Sequence, residues 1–191
     1  MSYNEYWQKI YRVMEEWNKL SESYWRDYSG FSSWQFWVIL AMVVIPLIVL
    51  IFAVDRRRIF EVLFFGYTVH ILWDYINDFL EIHLFFVHNY FLTTMLPSAF
   101  NMTASVLPVA FLLLYQYCTN HNKNFYLLTL VLSGIFAFGA ASLEEMIGMV
   151  DIKNGFNKFY IFLIDVGIAY IAYWFTRFIL KVRKRAGVQS E

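Results

Sequence analysis

Four side chains near the middle of the chain, His70, Asp74, Asn77 and Glu81, recur at spacings of four, three and four. At about 100° per residue they fall within an arc of roughly 60° on one helix face. Gly66 lies one turn earlier on the same side, and Asp78 sits at the edge of the stripe. An imidazole, an amide and two or three carboxylates on one face are groups that hold cations, relay protons or ligate metals. The same residue types return further along. Gly134, Ala141, Glu145 and Gly148 share a helical face, as do Asp165, Ala169, Ala172 and Thr176, and as do Asn101, Ser105 and Pro108. Small residues let helices approach closely in lipid, which points Glu145 inward and leaves Glu144, about 100° away, the weaker candidate.

His70, Asp74, Glu145 and Asp165 are therefore the candidate metal-ligating set, with Asn77, Asp78, Glu81 and Asn101 as the polar cluster around it. Histidine with carboxylates suits zinc, manganese or iron. His83 and His88 could add ligands at the outer surface, where a lone histidine is ordinarily a polar rim. The chain has no Glu-x-x-His pair of the di-iron kind and no His-Glu-x-x-His. Acids outnumber bases around the stripe. Only His70 and Arg177 offer positive charge, and Arg177 belongs to the opposite end. The carboxylates then require protonation, a bound cation or entering water. Three readings stay open: an interhelical hydrogen-bond network under a water-filled vestibule, a site for protons or a cation, and a catalytic site. A bound cation is the one cofactor the pattern suggests. Phosphate-binding loops, dinucleotide fingerprints and nucleophile motifs are absent from the sequence. The single cysteine, Cys118, excludes an intrachain disulfide and reads as a packing residue.

The elements that must position these groups are membrane spans. Of the 191 residues 60% are hydrophobic and 21% aromatic, and the mean hydropathy is +0.48. Soluble domains are about 45–50% apolar. Fifteen basic residues balance fifteen acidic ones, which offers no basic surplus for nucleic acid. Runs of about 20 apolar residues span a bilayer, and five occur: residues 34–54, 59–82, 97–118, 125–149 and 159–180. Arg56, Arg57, Arg58, Lys123, Lys181, Arg183, Lys184 and Arg185 fall on one side of this topology. The other side holds Lys153, Lys158 and a tail whose four bases are outnumbered by five acids. The positive-inside rule then places the C-terminus in the cytoplasm and the N-terminus outside. The apolar, aromatic segment 83–96 is read as an interfacial turn or a re-entrant piece, and as a sixth span it would change the topology.

Residues 3–28 form an amphipathic pattern. Tyr3, Trp7, Ile10, Met14, Trp17, Tyr24, Trp25 and Tyr28 share one side, and Lys9, Arg12, Glu15, Glu16, Lys19, Glu22, Arg26 and Asp27 the other. Trp and Tyr on the apolar side suit the headgroup region of a bilayer, or a partner. The predicted fold is all-α: an extracytoplasmic amphipathic helix (1–33), a five-helix transmembrane bundle (34–181) and a cytoplasmic basic tail (182–191).

Trp73-Asp74-Tyr75, Leu107-Pro108-Val109, and Gly148 followed by Asn154-Gly155-Phe156-Asn157 carry a resemblance. Over about residues 60–180 the chain resembles an uncharacterised family of small, aromatic-rich polytopic membrane proteins of endospore-forming bacteria. Members usually have Trp where this chain has Phe156, and the long amphipathic tail is not one of their features. The resemblance implies a bacterial plasma or spore membrane and carries no activity. The expectation is a small accessory or assembly subunit with an outward-facing polar vestibule. It would contact the bilayer and either a membrane-protein partner or further copies of itself. The alternatives are a cation- or proton-handling protein and an intramembrane metal-dependent enzyme.

Overall fold

The computed structural model of the protein describes residues 1–96, 98–185 and 187. Pro97, at the start of the third run, and residues 186 and 188–191 of the tail lie outside the described residues. Helix α1 (Tyr3–Tyr24) opens on a capping box: the Ser2 hydroxyl accepts from the Glu5 N–H, and the Glu5 carboxylate accepts from the Ser2 N–H at 2.7 Å. It runs into a π turn at Trp25–Ser29. Tyr3, Trp7, Ile10, Met14 and Trp17 on its apolar side are all exposed.

Helix α2 (Trp34–Ala53) is apolar throughout, yet it buries only Phe36 and Ile39. A face that apolar needs lipid around it. Helix α3 (Ile59–Ile82) follows a short basic turn. Helix α4 (Leu107–Asn120) is preceded by a π turn at Met102–Val106. The fourth span consists of α5 (Phe125–Gly134), a π segment (Ile135–Ala140) and α6 (Ala141–Met146). Helix α7 (Lys158–Arg185) ends the bundle. The stretches Trp34–Ala53, Arg56–Ile82, Met102–Asn120, Phe125–Met146 and Lys158–Arg185 are long and apolar enough to cross a bilayer. The protein is thus an all-α membrane protein with the five expected helices.

Helix α3 is the central element and packs against both α4 and α7. Gly66 permits the α3–α4 approach, because a Cβ there would lie 2.6 Å from Leu112 Cδ1 and 3.3 Å from Leu112 Cβ. Around it the interior is aromatic. Phe65 stacks on Tyr115 at 4.5 Å, Phe125 stacks on Tyr173 at 4.6 Å, and Phe65, Phe111 and Tyr115 are fully buried. Pro46 in α2 leaves the carbonyl four residues earlier without its usual donor. The adjacent Val43 carbonyl takes the Ser105 hydroxyl at 2.7 Å, the kind of side-chain bond that makes proline tolerable in lipid.

The two ends differ. At the basic end Arg58 pairs with Glu61 and also donates to Thr119 Oγ1 at 3.0 Å, while Tyr115 donates to Glu61 at 2.5 Å. Gln116 accepts from the Asp55 N–H and donates to the Ala53 carbonyl. These bonds fasten the α2–α3 turn to the end of α4. At the other end the segment 83–96 does not span. Leu84 adopts φ +55°, closing α3, and β1 (Phe86–His88) pairs antiparallel with β2 (Val150–Ile152). Met149 accepts from the Asn89 N–H, continuing the contact. The start of the chain is stitched to the same segment: Tyr24 donates to the Asn89 carbonyl at 2.8 Å, Trp25 to Leu92 at 2.9 Å and Ser29 to Phe91 at 2.9 Å. Asn154 (φ +55°) and Gly155 (φ +76°) make the tight turn into α7.

Placing a branched side chain at Gly66 tests the α3–α4 contact. Gly66→Val should lower the stability of the detergent-purified protein by about 1–3 kcal/mol through overpacking. Adding Leu112→Ala should recover part of the loss in the apparent melting temperature. Gly66→Val melting like the unaltered protein would rule out the close approach.

Candidate functional site

Several buried polar groups gather beneath the β1–β2 cap. A cavity of about 30 Å³ is lined by Trp73 and Asn77 of α3, His88 of β1, Glu144 of α6 and Asp165 of α7. It has room for roughly one or two water molecules. Met102 and Thr103, in the π turn before α4, and Phe136, in the π segment after α5, complete the wall. Two of the π segments, Met102–Val106 and Ile135–Ala140, thus border the cavity, a placement often seen at functional sites.

Asp165 is 1% exposed, and its Oδ1 accepts from the Trp73 indole N–H at 3.0 Å. Its Oδ2, Asn77 Nδ2 and both ring nitrogens of His88 have no partner among the described residues. Four unpaired polar atoms around one small space are the strongest mark of a site in this molecule, because each such buried atom costs about 1–3 kcal/mol if left dry.

A wider space lies outside the cavity. A groove of about 710 Å³ runs between the C-terminal half of α1, the outer end of α3, and residues 84–96 with Ser98. Trp17, Glu22, Asp78, Glu81 and Phe91 are among its walls. His88 borders both the groove and the cavity. Glu81 stands beside it: the carboxylate accepts from Ser98 Oγ and from the His88 backbone N–H, and His88 Nδ1 lies 3.8 Å from Glu81 Oε1. His88, with Glu81 beside it on the groove side, therefore stands between the groove and the cavity.

The other predicted site residues are distributed differently. His70 Nδ1–H donates to the Thr103 carbonyl at 2.9 Å, and the Thr103 hydroxyl donates to Asp74 Oδ1 at 3.0 Å. His70 and Asp74 are thus joined to each other through Thr103. Asn101 turns toward α2, its amide 3.6 Å from Met42 Sδ, and its Oδ1 has no partner among the described residues. Asp78 is exposed, as its place at the edge of the stripe suggests. Among the described residues no three His, Cys, Asp or Glu side chains stand close enough to hold a metal ion. The set His70, Asp74, Glu145 and Asp165 does not converge.

Glu145 is the main correction. Its carboxylate lies at the surface and pairs with Lys158 Nζ at 2.7 Å, while Glu144, 8% exposed, takes the inward place. The reason is the π segment. On an uninterrupted helix Phe125 and Glu144 would stand about 100° apart. The extra residue held by Ile135–Ala140 removes that offset, so Phe125, Thr129, Ser133, Ala137, Ala141 and Glu144 form one buried row. His88 was read as a rim residue, and only its β pairing carries it inward. Near the rim, Lys153 Nζ lies 2.7 Å from Asp151 and holds that carboxyl below its ordinary range. No protein-family model matches the chain, and no curated protein or solved structure is significantly similar to it.

The Trp73–Asp165 bond is open to a double-mutant cycle. Trp73→Phe removes the one donor to a buried carboxylate and should cost about 1.5–3 kcal/mol. Asp165→Asn keeps an acceptor and should be tolerated. In the Asp165→Asn background the cost of Trp73→Phe should shrink, as read from melting temperatures in detergent. Equal costs in both backgrounds would remove the bond from the site.

Proposed function

We propose that the protein is a small accessory or assembly subunit of a bacterial plasma membrane, with a polar vestibule facing the extracytoplasmic side. One observation carries this reading: the groove of about 710 Å³ and the polar cavity share the His88 wall at the same end of the bundle. Below the cavity the bundle is filled by Phe65, Phe111 and Tyr115, all fully buried. A one-ended polar space suits reception of a ligand or partner from one side rather than conduction through the bundle. In this reading α1 lies along the outer interface with its Trp and Tyr side among the headgroups. The orientation rests on the gathering of Arg56, Arg57, Arg58, Lys123 and Lys181 at the end opposite the vestibule. The exposed flank of α2 is the natural seat for a membrane-protein partner or a second copy, and the resemblance to the endospore-former family supports a bacterial membrane.

A second reading is favoured by the unpaired Oδ2 of Asp165 and the inward Glu144. They could take up a proton or a monovalent cation from the vestibule past Glu81 and His88. The intramembrane metalloenzyme reading has less support, because its ligands do not converge among the described residues.

Orientation and accessory role have separate tests. In a Cys118→Ala background, Thr94→Cys should react with a membrane-impermeant maleimide in intact cells, and Asn122→Cys only after permeabilisation. The reverse pattern would overturn the orientation. An accessory subunit should co-purify in fixed stoichiometry with a second polypeptide, and should still do so as Asp165→Asn or Glu144→Gln. A single chain whose proton uptake disappears in Asp165→Asn would replace this reading with the second one.

A further inference from the structure

We propose that the vestibule binds an amphipathic organic cation, a molecule with an ammonium head and an apolar body. This deepens the vestibule reading and rests on it. Glu22 of α1 and Asp78 and Glu81 of α3 line the groove, and no Lys or Arg does so among the described residues. Trp17 and Phe91 add aromatic side chains to the same wall. The walls are thus negative and apolar together.

A bare metal ion does not suit them. Among the described residues no three His, Cys, Asp or Glu side chains converge. The volume of about 710 Å³ instead lies within the roughly 300–1,000 Å³ of small-molecule pockets. Carboxylates spread around a wide apolar space fit a cation of several heavy atoms. The apolar body covers the aromatic wall, and the ammonium gains from both the carboxylates and the ring faces.

His88 points to the same ligand. It is 7% exposed and borders the groove, its Nδ1 stands 3.8 Å from Glu81 Oε1, and its Nε2 has no hydrogen-bond partner among the described residues. A neutral imidazole always carries one acceptor nitrogen. An ammonium N–H supplies the donor that the protein does not.

The test uses the full chain in nanodiscs of phosphatidylcholine, with dansylcadaverine as the probe. Its fluorescence should rise saturably. Phenethylamine should displace it, and 2-phenylethanol, the same body without the ammonium, should not. Glu22→Gln combined with Asp78→Asn should weaken the affinity about tenfold. Both residues are exposed, so the melting temperature should stay unchanged. Asp151→Asn, outside the groove, should bind as the unaltered protein does. A response matching empty nanodiscs, equal displacement by the neutral alcohol, or an unaltered affinity in the double variant would each overturn the proposal. Labelling of Thr94→Cys separates the two levels: outside labelling without probe binding sinks the cation and leaves the vestibule, whereas labelling only from the cytoplasm sinks both.

Discussion

A carboxylate inside an apolar bundle has to be met by donors, a cation or water, and the arrangement of this protein follows from that requirement. Asp165 lies on the one helix that forms the last span, at 1% exposure, with the Trp73 indole as its donor. Its other oxygen has no partner among the described residues. Lipid cannot supply the missing bond, so space for water or a cation must be kept beside it. Two π interruptions and a short β pair border that space. Each leaves the regular helical ladder where polar groups gather.

The rest of the bundle separates this wet region from the basic end. Phe65, Phe111 and Tyr115 fill the layer between them, where the Tyr115 hydroxyl reaches down to Glu61 and the buried Thr129 and Ser133 hydroxyls of α5 have no partner among the described residues. At the basic end Arg58 bonds Glu61 and Thr119, and the Gln116 side chain takes the Asp55 N–H. The polar cap at the vestibule end is assembled from three distant parts of the chain, joined by Tyr24, Trp25 and Ser29 to residues 89–92 and by β1 to β2.

Much of this was legible in the sequence. Apolar run length gave the five helices because bilayer thickness sets that length directly. The stripe of Asn77 and Glu81 with Asp78 at its edge matched the observed half-burial because α3 is an uninterrupted helix there. Asn154-Gly155 made the turn its residue types favour. The choice of Glu145 over Glu144 failed because a periodicity argument assumes a constant helical pitch, and Ile135–Ala140 does not keep it. His88 was out of reach for another reason: the pairing of 86–88 with 150–152 is long-range, and nothing local in either segment specifies the partner. In the sequence Glu61, close to three arginines, reads as a surface charge, whereas Tyr115 draws it into the basic-end clamp.

Hydroxyl-radical footprinting of the protein in nanodiscs addresses the one-sided entry of water most directly. Radicals generated from bound water modify side chains beside it. With water confined to the vestibule and the cavity, Trp73 and Met102 are modified, and Phe65, Phe111 and Tyr115 stay unmodified. Oxidation of Tyr115 and Phe65 as fast as Trp73 would mean a water column through the bundle, and the separation of the two ends would be contradicted.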